Sequence, residues 1–157
     1  MSKKHHYQLN IAWTGNNGTG TSNYAAYSRN FNLNAANKET LALSSDTAFR
    51  GDETKHNPET MLVASISSCH MLWYLHLCAD AGIIVTAYED NATGTMEQDD
   101  TGAGKFTEVT LYPKVTITDS SKKELAIDLH HKANHFCFIA QSCNFQVQHR
   151  PEIIVSV

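Results

Sequence analysis

The sequence predicts an α+β fold of antiparallel sheet packed on two helices, in the order βββ-α-ββ-α-ββ, and three observations carry that reading. Short β-branched and aromatic runs bounded by Gly, Asn and Pro occupy both ends and the middle of the chain. One apolar run, Met61 to Ala79, is too long for a strand, and a second segment, "KKELAIDLHHKANHF", has apolar residues at helical spacing. With 157 residues and 41% hydrophobic content, the chain is expected to be a single domain spanning residues 1–157.

In the first fifty residues, "TGNNGTGTSN" supplies turn residues between "YQLNIAW" and "YAAYSRNFNL", which reads as two strands joined by a flexible hairpin. A short third strand is expected from Thr40 to Ser44. Asn57-Pro58-Glu59 then opens a helix: Asn as cap, Pro at the first helical position, and an acid where the helix dipole favours negative charge. Gly82 closes it. Met61, Leu62, Ala64, Ile66, Met71, Leu72, Leu75 and Ala79 occupy nearly every face, so this helix requires cover on several sides. "IIVTAYEDNATGTM" and "KFTEVTLYPKVTI" read as a long antiparallel hairpin. The second helix follows, with a capping box at Ser121 and Glu124 and Leu125, Leu129 and Ala133 on one face. "NFQVQH" and "EIIVSV" end the chain as short strands flanking Pro151.

A net charge of -4, without a long Lys/Arg block, leaves no electrostatic footprint for nucleic acid or anionic lipid. The N-terminal "MSKKHHYQLNIAW" has no signal-peptide apolar core, and Ser65, Ser67, Ser68, His70 and His76 interrupt the apolar run, making it a poor membrane span. A soluble cytoplasmic protein is expected. In that reducing compartment Cys69, Cys78, Cys137 and Cys143 should not be static disulfides, and a pair that oxidises should be transient and catalytic.

Four groups bear chemistry: Cys69 on the apolar helix, Cys137 one turn past Ala133 on the second, and Glu59 and Arg50 upstream. A peroxide-reducing thiol must be a thiolate, and burial opposes ionisation unless a cation compensates. Arginine stays charged when desolvated, and a carboxylate can hold its donor fork in place. The first cysteine, once oxidised to sulfenic acid, needs a second thiol to form a disulfide before over-oxidation. The same residues also fit a bland reading, with both thiols as core filler, Arg50 as a loop charge and Glu59 as a helix-start acid.

The run "FRGDETKHNPETMLVASISSCHMLWYLHLCADAGIIVTAYEDNATGTM" resembles the core signature of the OsmC/Ohr family of thiol peroxidases, which pairs Asn-Pro-Glu with a cysteine ten residues after the Glu, the interval from Glu59 to Cys69. "ANHFCFIAQS" resembles the family's second-cysteine region. The resemblance implies an OsmC-like fold, sheets wrapped around two central helices in an intertwined homodimer. It implies Cys69 as the peroxidatic thiol, Cys137 as the resolving thiol and Glu59 as the carboxylate that orients an arginine. Arg50 in "FRGD" is the expected arginine, with Arg29 in "YSRNF" as the alternative that another family branch suggests. It further implies reduction of organic hydroperoxides to alcohols, a lipoyl-type dithiol as reductant, and no metal or flavin cofactor. Two departures stand out: His70 follows the cysteine where better-known members carry an aromatic residue, and Phe138 replaces the usual proline after the second cysteine.

On one continuous helix Glu59 and Cys69 lie ~15 Å apart, so either the helix breaks or Glu59 serves Cys69 of a second subunit. Two rivals to the peroxidase reading remain. His131 and His135 at helical spacing, with Cys137 beyond, have a spacing able to chelate Zn²⁺, although His130-His131 also fits a solvated helix face. Alternatively the cysteines are packing residues of a non-catalytic protein that binds a small apolar ligand. His70 either tunes the thiol or packs.

Overall fold

The computed structural model describes residues 1–156, and the chain forms two compact units, the first from Met1 to Met61 and the second from Leu62 onward. The first unit is built on an antiparallel sheet of β1 (Asn10–Trp13), β2 (Phe31–Asn34) and β3 (Leu41–Leu43), in which Trp13, Phe31 and Leu43 lie side by side across the three strands. Of "YAAYSRNFNL", only the part from Phe31 onward is strand. Its first half folds on itself because the Arg29 guanidinium lies 4.2 Å from the ring centroid of Tyr24 and 4.1 Å from that of Tyr27. That guanidinium also donates to the carbonyls of Tyr27 (2.5 Å) and Tyr24 (2.6 Å). The glycine-rich tip is tied down locally, since the Asn16 side chain accepts from the amides of Gly18 (2.9 Å) and Gly20 (3.0 Å).

The helix α1 (Pro58–Asp80) starts where the sequence predicts. Asn57 Oδ1 accepts from the Thr60 amide (2.8 Å) and Thr60 Oγ1 accepts from the Asn57 amide (3.1 Å), satisfying two donors reciprocally. Gly82, at φ 66°, turns the chain out of the helix: its amide donates to the Ala79 carbonyl (3.1 Å) and the Ile83 amide to that of Cys78 (2.8 Å). Lys122 Nζ reinforces this end by donating to the carbonyls of Gly82 (2.6 Å) and Ala81 (3.2 Å). α1 is long and apolar enough to cross a membrane, but Ile66, Tyr74, Leu77 and Cys78 on it belong to the buried cores of the second unit.

The hairpin after α1 is antiparallel as expected, yet divided. β4 (Val85–Asp90) pairs with β7 (Pro113–Ile117), and β5 (Thr93–Gln98) with β6 (Gly104–Leu111). At the division Asp90 Oδ1 accepts from the Tyr112 amide (2.7 Å) while Oδ2 accepts from Ser67 Oγ (2.5 Å), so one carboxylate ties the bend of the ribbon to α1.

α2 (Lys123–Phe136) follows a 3-10 turn over Ser120–Lys122. The box expected at Ser121 and Glu124 is replaced by an Asp119 cap, which accepts from the Ser121 amide (2.9 Å) and from Ser121 Oγ (2.6 Å). The buried face of α2 is Ala126, Leu129, His130 and Ala133, whereas Leu125 is 43% exposed. A short helix α3 (Phe138–Gln141) leads to β8 (Val147–His149) and β9 (Glu152–Val155). β8 runs parallel to β6 and β9 parallel to β7, so the sheets β4-β7-β9 and β5-β6-β8 are mixed and not purely antiparallel as the sequence predicts. A helical crossover after β7 returns the chain in the same direction, which a short turn cannot do.

Two cores result. Tyr74, Leu77, Cys78, Ile83, Val115, Ile117, Ala126, Leu129, Ala133 and Ile153 join the C-terminal part of α1, α2 and one sheet. Ile66, Val109, Leu111 and Val147 join the earlier turns of α1 to the other sheet. Replacing Gly82 by Ala forces a left-handed conformation on a residue with a Cβ, and is expected to lower unfolding stability by about 1 kcal/mol in a urea titration followed by circular dichroism. An unchanged midpoint would show that the close of α1 does not depend on that geometry.

Candidate active site: a facing pair of thiols

All four cysteines are free thiols. Cys69 lies half-buried in the middle of α1, and Cys137, fully buried, sits at the joint between α2 and α3. It follows directly on α2, whose buried face includes Ala126 and Ala133. Its Sγ contacts the carbonyl of Ile66 (3.9 Å), one turn before Cys69 on α1, and accepts from the amide of Ala140 (3.4 Å) in α3. Burial pushes the Cys137 thiol up to about 12; the neighbouring Cys69 thiol adds to the rise, and the Ala140 amide opposes it. Cys137 is therefore a protonated thiol at neutral pH.

An aromatic shelf flanks the pair. Trp73, one turn beyond Cys69, stacks on Phe136 (centroids 5.1 Å apart) and meets Phe138 edge-on (5.6 Å), the two residues on either side of Cys137. Phe138, where proline was the usual residue, is 66% exposed and starts α3. Leu72, Trp73 and His76 line a shallow cavity of about 210 Å³. The other two cysteines have structural environments: Cys78 is buried beside Tyr74, and Cys143 donates to the Ile139 carbonyl (3.3 Å).

The remaining expected groups lie in the first unit. Arg50 ends the 3-10 turn Thr47–Phe49 in a left-handed conformation (φ 64°), and its side chain has no hydrogen-bond or ion-pair partner among the described residues. Arg29 is engaged with Tyr24 and Tyr27 as described. Glu59 is in the first turn of α1, with its Oε2 buried and without a hydrogen-bond partner. α1 is unbroken, so the ten-residue rise from Glu59 to Cys69 places them ~15 Å apart along the axis. Of the two readings left open by the sequence, the helix break is excluded.

The histidines are arranged differently from the chelate considered above. His131 Nδ1 lies 3.2 Å from His149 Nε2, His135 meets the edge of Phe136 (5.3 Å), and Cys137 faces inward. No three His, Cys, Asp or Glu side chains converge on a point that suits a metal among the described residues. His130 is fully buried, correcting the solvated-face reading, and pairs with His70 across α1 and α2. His70, ambiguous in the sequence, is a core residue. Sequence signals for this cluster exist only as the unusual His after Cys69 and the His pair within a helix.

Because Cys137 is held protonated by burial, its alkylation by iodoacetamide at pH 8 is expected to be at least about tenfold slower in the folded protein than in urea, measured by peptide mass mapping. Equal rates would mean that the thiol is not shielded.

A model of the family described as OsmC-like protein matches residues 51–152. A search among curated proteins finds no match. Among solved structures, an OsmC-like protein of unknown function from Vibrio cholerae superposes with a TM-score of 0.85 at 26% identity, over 95% of this chain and 100% of that one. An organic hydroperoxide resistance protein from Elizabethkingia anophelis gives a TM-score of 0.66 at 17% identity (98% and 100% covered). One from Legionella pneumophila gives 0.60 at 18% identity (97% and 100%). The helix carrying Cys69, strands β4 to β8 and the second cysteine at the end of α2 all fall within the matched region, and the chain belongs to the OsmC-like family.

Proposed function

We propose that this protein is a thiol-dependent peroxidase that reduces organic hydroperoxides to alcohols. The observation that carries the reading is the pairing of two free thiols from different helices, Cys69 half-buried and Cys137 fully buried beside it. A pair of packing cysteines has no need to face each other; a peroxidatic and a resolving thiol do.

In the proposed cycle the Cys69 thiolate attacks the terminal oxygen of the hydroperoxide, the O–O bond breaks, and the alkoxide takes a proton and leaves as alcohol. Cys69 is then a sulfenic acid. Cys137 attacks its sulfur, hydroxide departs as water with the proton of the second thiol, and a Cys69–Cys137 disulfide remains. An external dithiol, lipoyl-type by the family resemblance, restores both thiols by exchange. The environment of Cys137 suits this order of events. Burial keeps it protonated, and the Ala140 amide favours the anion that must form when it attacks.

The thiolate needs a cation, and we assign it to Arg50, with Arg29 as the alternative. The engagement of Arg29 by two tyrosine rings and two carbonyls favours Arg50. Glu59 would hold the guanidinium, which is supported by its buried carboxylate oxygen having no partner of its own. Since Glu59 stands ~15 Å along the helix from Cys69, the carboxylate and arginine serving one Cys69 come from a second copy of the chain, in a homodimer. The aromatic shelf of Trp73, Phe136 and Phe138 favours an apolar hydroperoxide over hydrogen peroxide.

Cys69→Ser should abolish consumption of cumene hydroperoxide with dihydrolipoamide as reductant while leaving circular dichroism unchanged. Cys137→Ser should permit one turnover and then accumulate Cys69 sulfinic acid, read by mass spectrometry. Retained steady-state turnover in Cys69→Ser would refute the peroxidase reading and favour simple ligand binding. In sedimentation the protein is expected at twice the chain mass, and a monomer with full activity would refute the shared site.

A further inference from the structure

Four histidines from three elements form one contiguous group: His70 on α1, His130 and His131 on α2, and His149 on β8. His70 Nε2 lies 2.9 Å from His130 Nδ1, and His131 Nδ1 3.2 Å from His149 Nε2. The His149 ring centroid is 5.6 Å from that of His70 and 6.3 Å from that of His130, which itself stacks on Tyr74 at 3.8 Å. His70 is 1% exposed and His130 0%, and His70 Nδ1, His130 Nε2 and His149 Nδ1 are buried without partners.

We propose that this group is an acid-sensitive latch: its imidazoles hold α1, α2 and β8 together while neutral, and protonation of both rings of a pair releases α2 and β8 and with them Cys137 from its place beside Cys69. Each contact within the group requires one ring nitrogen to donate and the other to accept, which neutral imidazoles satisfy and a pair of imidazolium rings, donors only, does not. Nothing nearby offsets a positive charge. Tyr74 on α1 stacks on His130, with Cys78 on α1 and Tyr88 on β4 beside Tyr74, while Arg150, next in sequence to His149, lies over the Tyr112 ring. Among the described residues no carboxylate pairs with any of the four histidines. Burial, followed by mutual repulsion with its neighbours, lowers His130 to about 3, and burial followed by His149 lowers His70 to about 4. Both lie below the unfolded value near 6.5, so the native state binds fewer protons, and stability falls as pH drops from about 6.5 toward 4. His131 is exposed and His149 half-buried, giving protons an entrance.

The link to the thiols is the shared helix contact. His70 directly follows Cys69 on α1, and His130 precedes Cys137 by about two turns of α2, so the surface that joins the two rings also seats Cys137 against the Ile66 carbonyl. A metal site is the other use of clustered imidazoles, but here the ring nitrogens engage in two pairs and no three ligands converge among the described residues. The latch stands independently of the peroxidase reading; its consequence for turnover rests on that reading.

The test is urea unfolding and hydrogen exchange of the whole protein between pH 8 and 4.5. The wild-type midpoint should fall steeply below pH 6, and the His70→Leu/His130→Phe protein, which keeps an aromatic ring on Tyr74, should show at most half that fall. If the double variant does not fold, wild-type exchange decides: after correction for intrinsic rates, residues 123–136 and 147–149 should lose protection at pH 5 by at least tenfold more than β5. A flat midpoint, uniform loss of protection, or a midpoint raised by stoichiometric Zn²⁺ at pH 7.5 would overturn the latch. Since no hydroperoxide enters these measurements, their failure leaves the peroxidase reading standing, and failure of the turnover assays leaves the latch standing.

Discussion

The structure around the thiols depends on one contact, that of α2 with α1, made through the His70–His130 ring pair and the Cys137 sulfur on the Ile66 carbonyl, with Ala126 and Ala133 of α2 fully buried in the shared core. This contact puts Cys137 on the Ile66 carbonyl with Cys69 as its neighbour. Other features serve this contact. Lys122, just before α2, donates to the carbonyls that end α1, and the Tyr74 hydroxyl donates to the Ala126 carbonyl (3.1 Å) from within the interface. Asp90 ties the ribbon to α1 from another direction. α1 thus has attachments at its middle and its C-terminal end, and α2 is fixed relative to it.

The same interface is an electrostatically one-sided environment. Its thiols, imidazoles and phenols have no carboxylate hydrogen-bond or ion-pair partner among the described residues, and burial pushes Cys137, Tyr74 and Tyr88 upward and His70 and His130 downward, in each case toward the neutral form. Desolvation is the first cause in each case. A neutral interior suits helix packing, and it makes any charge generated there dependent on a cation or anion brought in from elsewhere. That requirement is why an arginine matters to a peroxidatic Cys69, and why protonation of the histidines acts on packing.

Membership in the OsmC-like family agrees with this arrangement, and relatives that share the fold include proteins named for organic hydroperoxide resistance. The similar structure from Vibrio cholerae is of unknown function, so fold alone does not carry the activity. The thiol pair, the aromatic shelf beside it and the unpartnered carboxylate of Glu59 are what tie this chain to peroxide chemistry in the reading proposed above.

The sequence by itself determined the α+β class, the two main helices and the limits of α1, because caps, breakers and apolar periodicity act over a few residues; the division of the middle hairpin into four strands and the short helix α3 were not legible in it. Asn57-Pro58 and Gly82 bound α1 where local chemistry says they should. It failed wherever the outcome depended on residues distant in the chain. Leu125 belongs to the predicted face of α2 and His130 does not, yet the leucine is exposed and the histidine buried, because the ring that pairs with the imidazole is that of His70, sixty positions away. The parallel pairing of β8 and β9 likewise follows from how α2 crosses over, which periodicity does not encode. Only the tertiary structure decided which side chains meet: a helix fixes spacing along its own axis, and the facing of Cys137 toward Cys69 is set by close packing between helices.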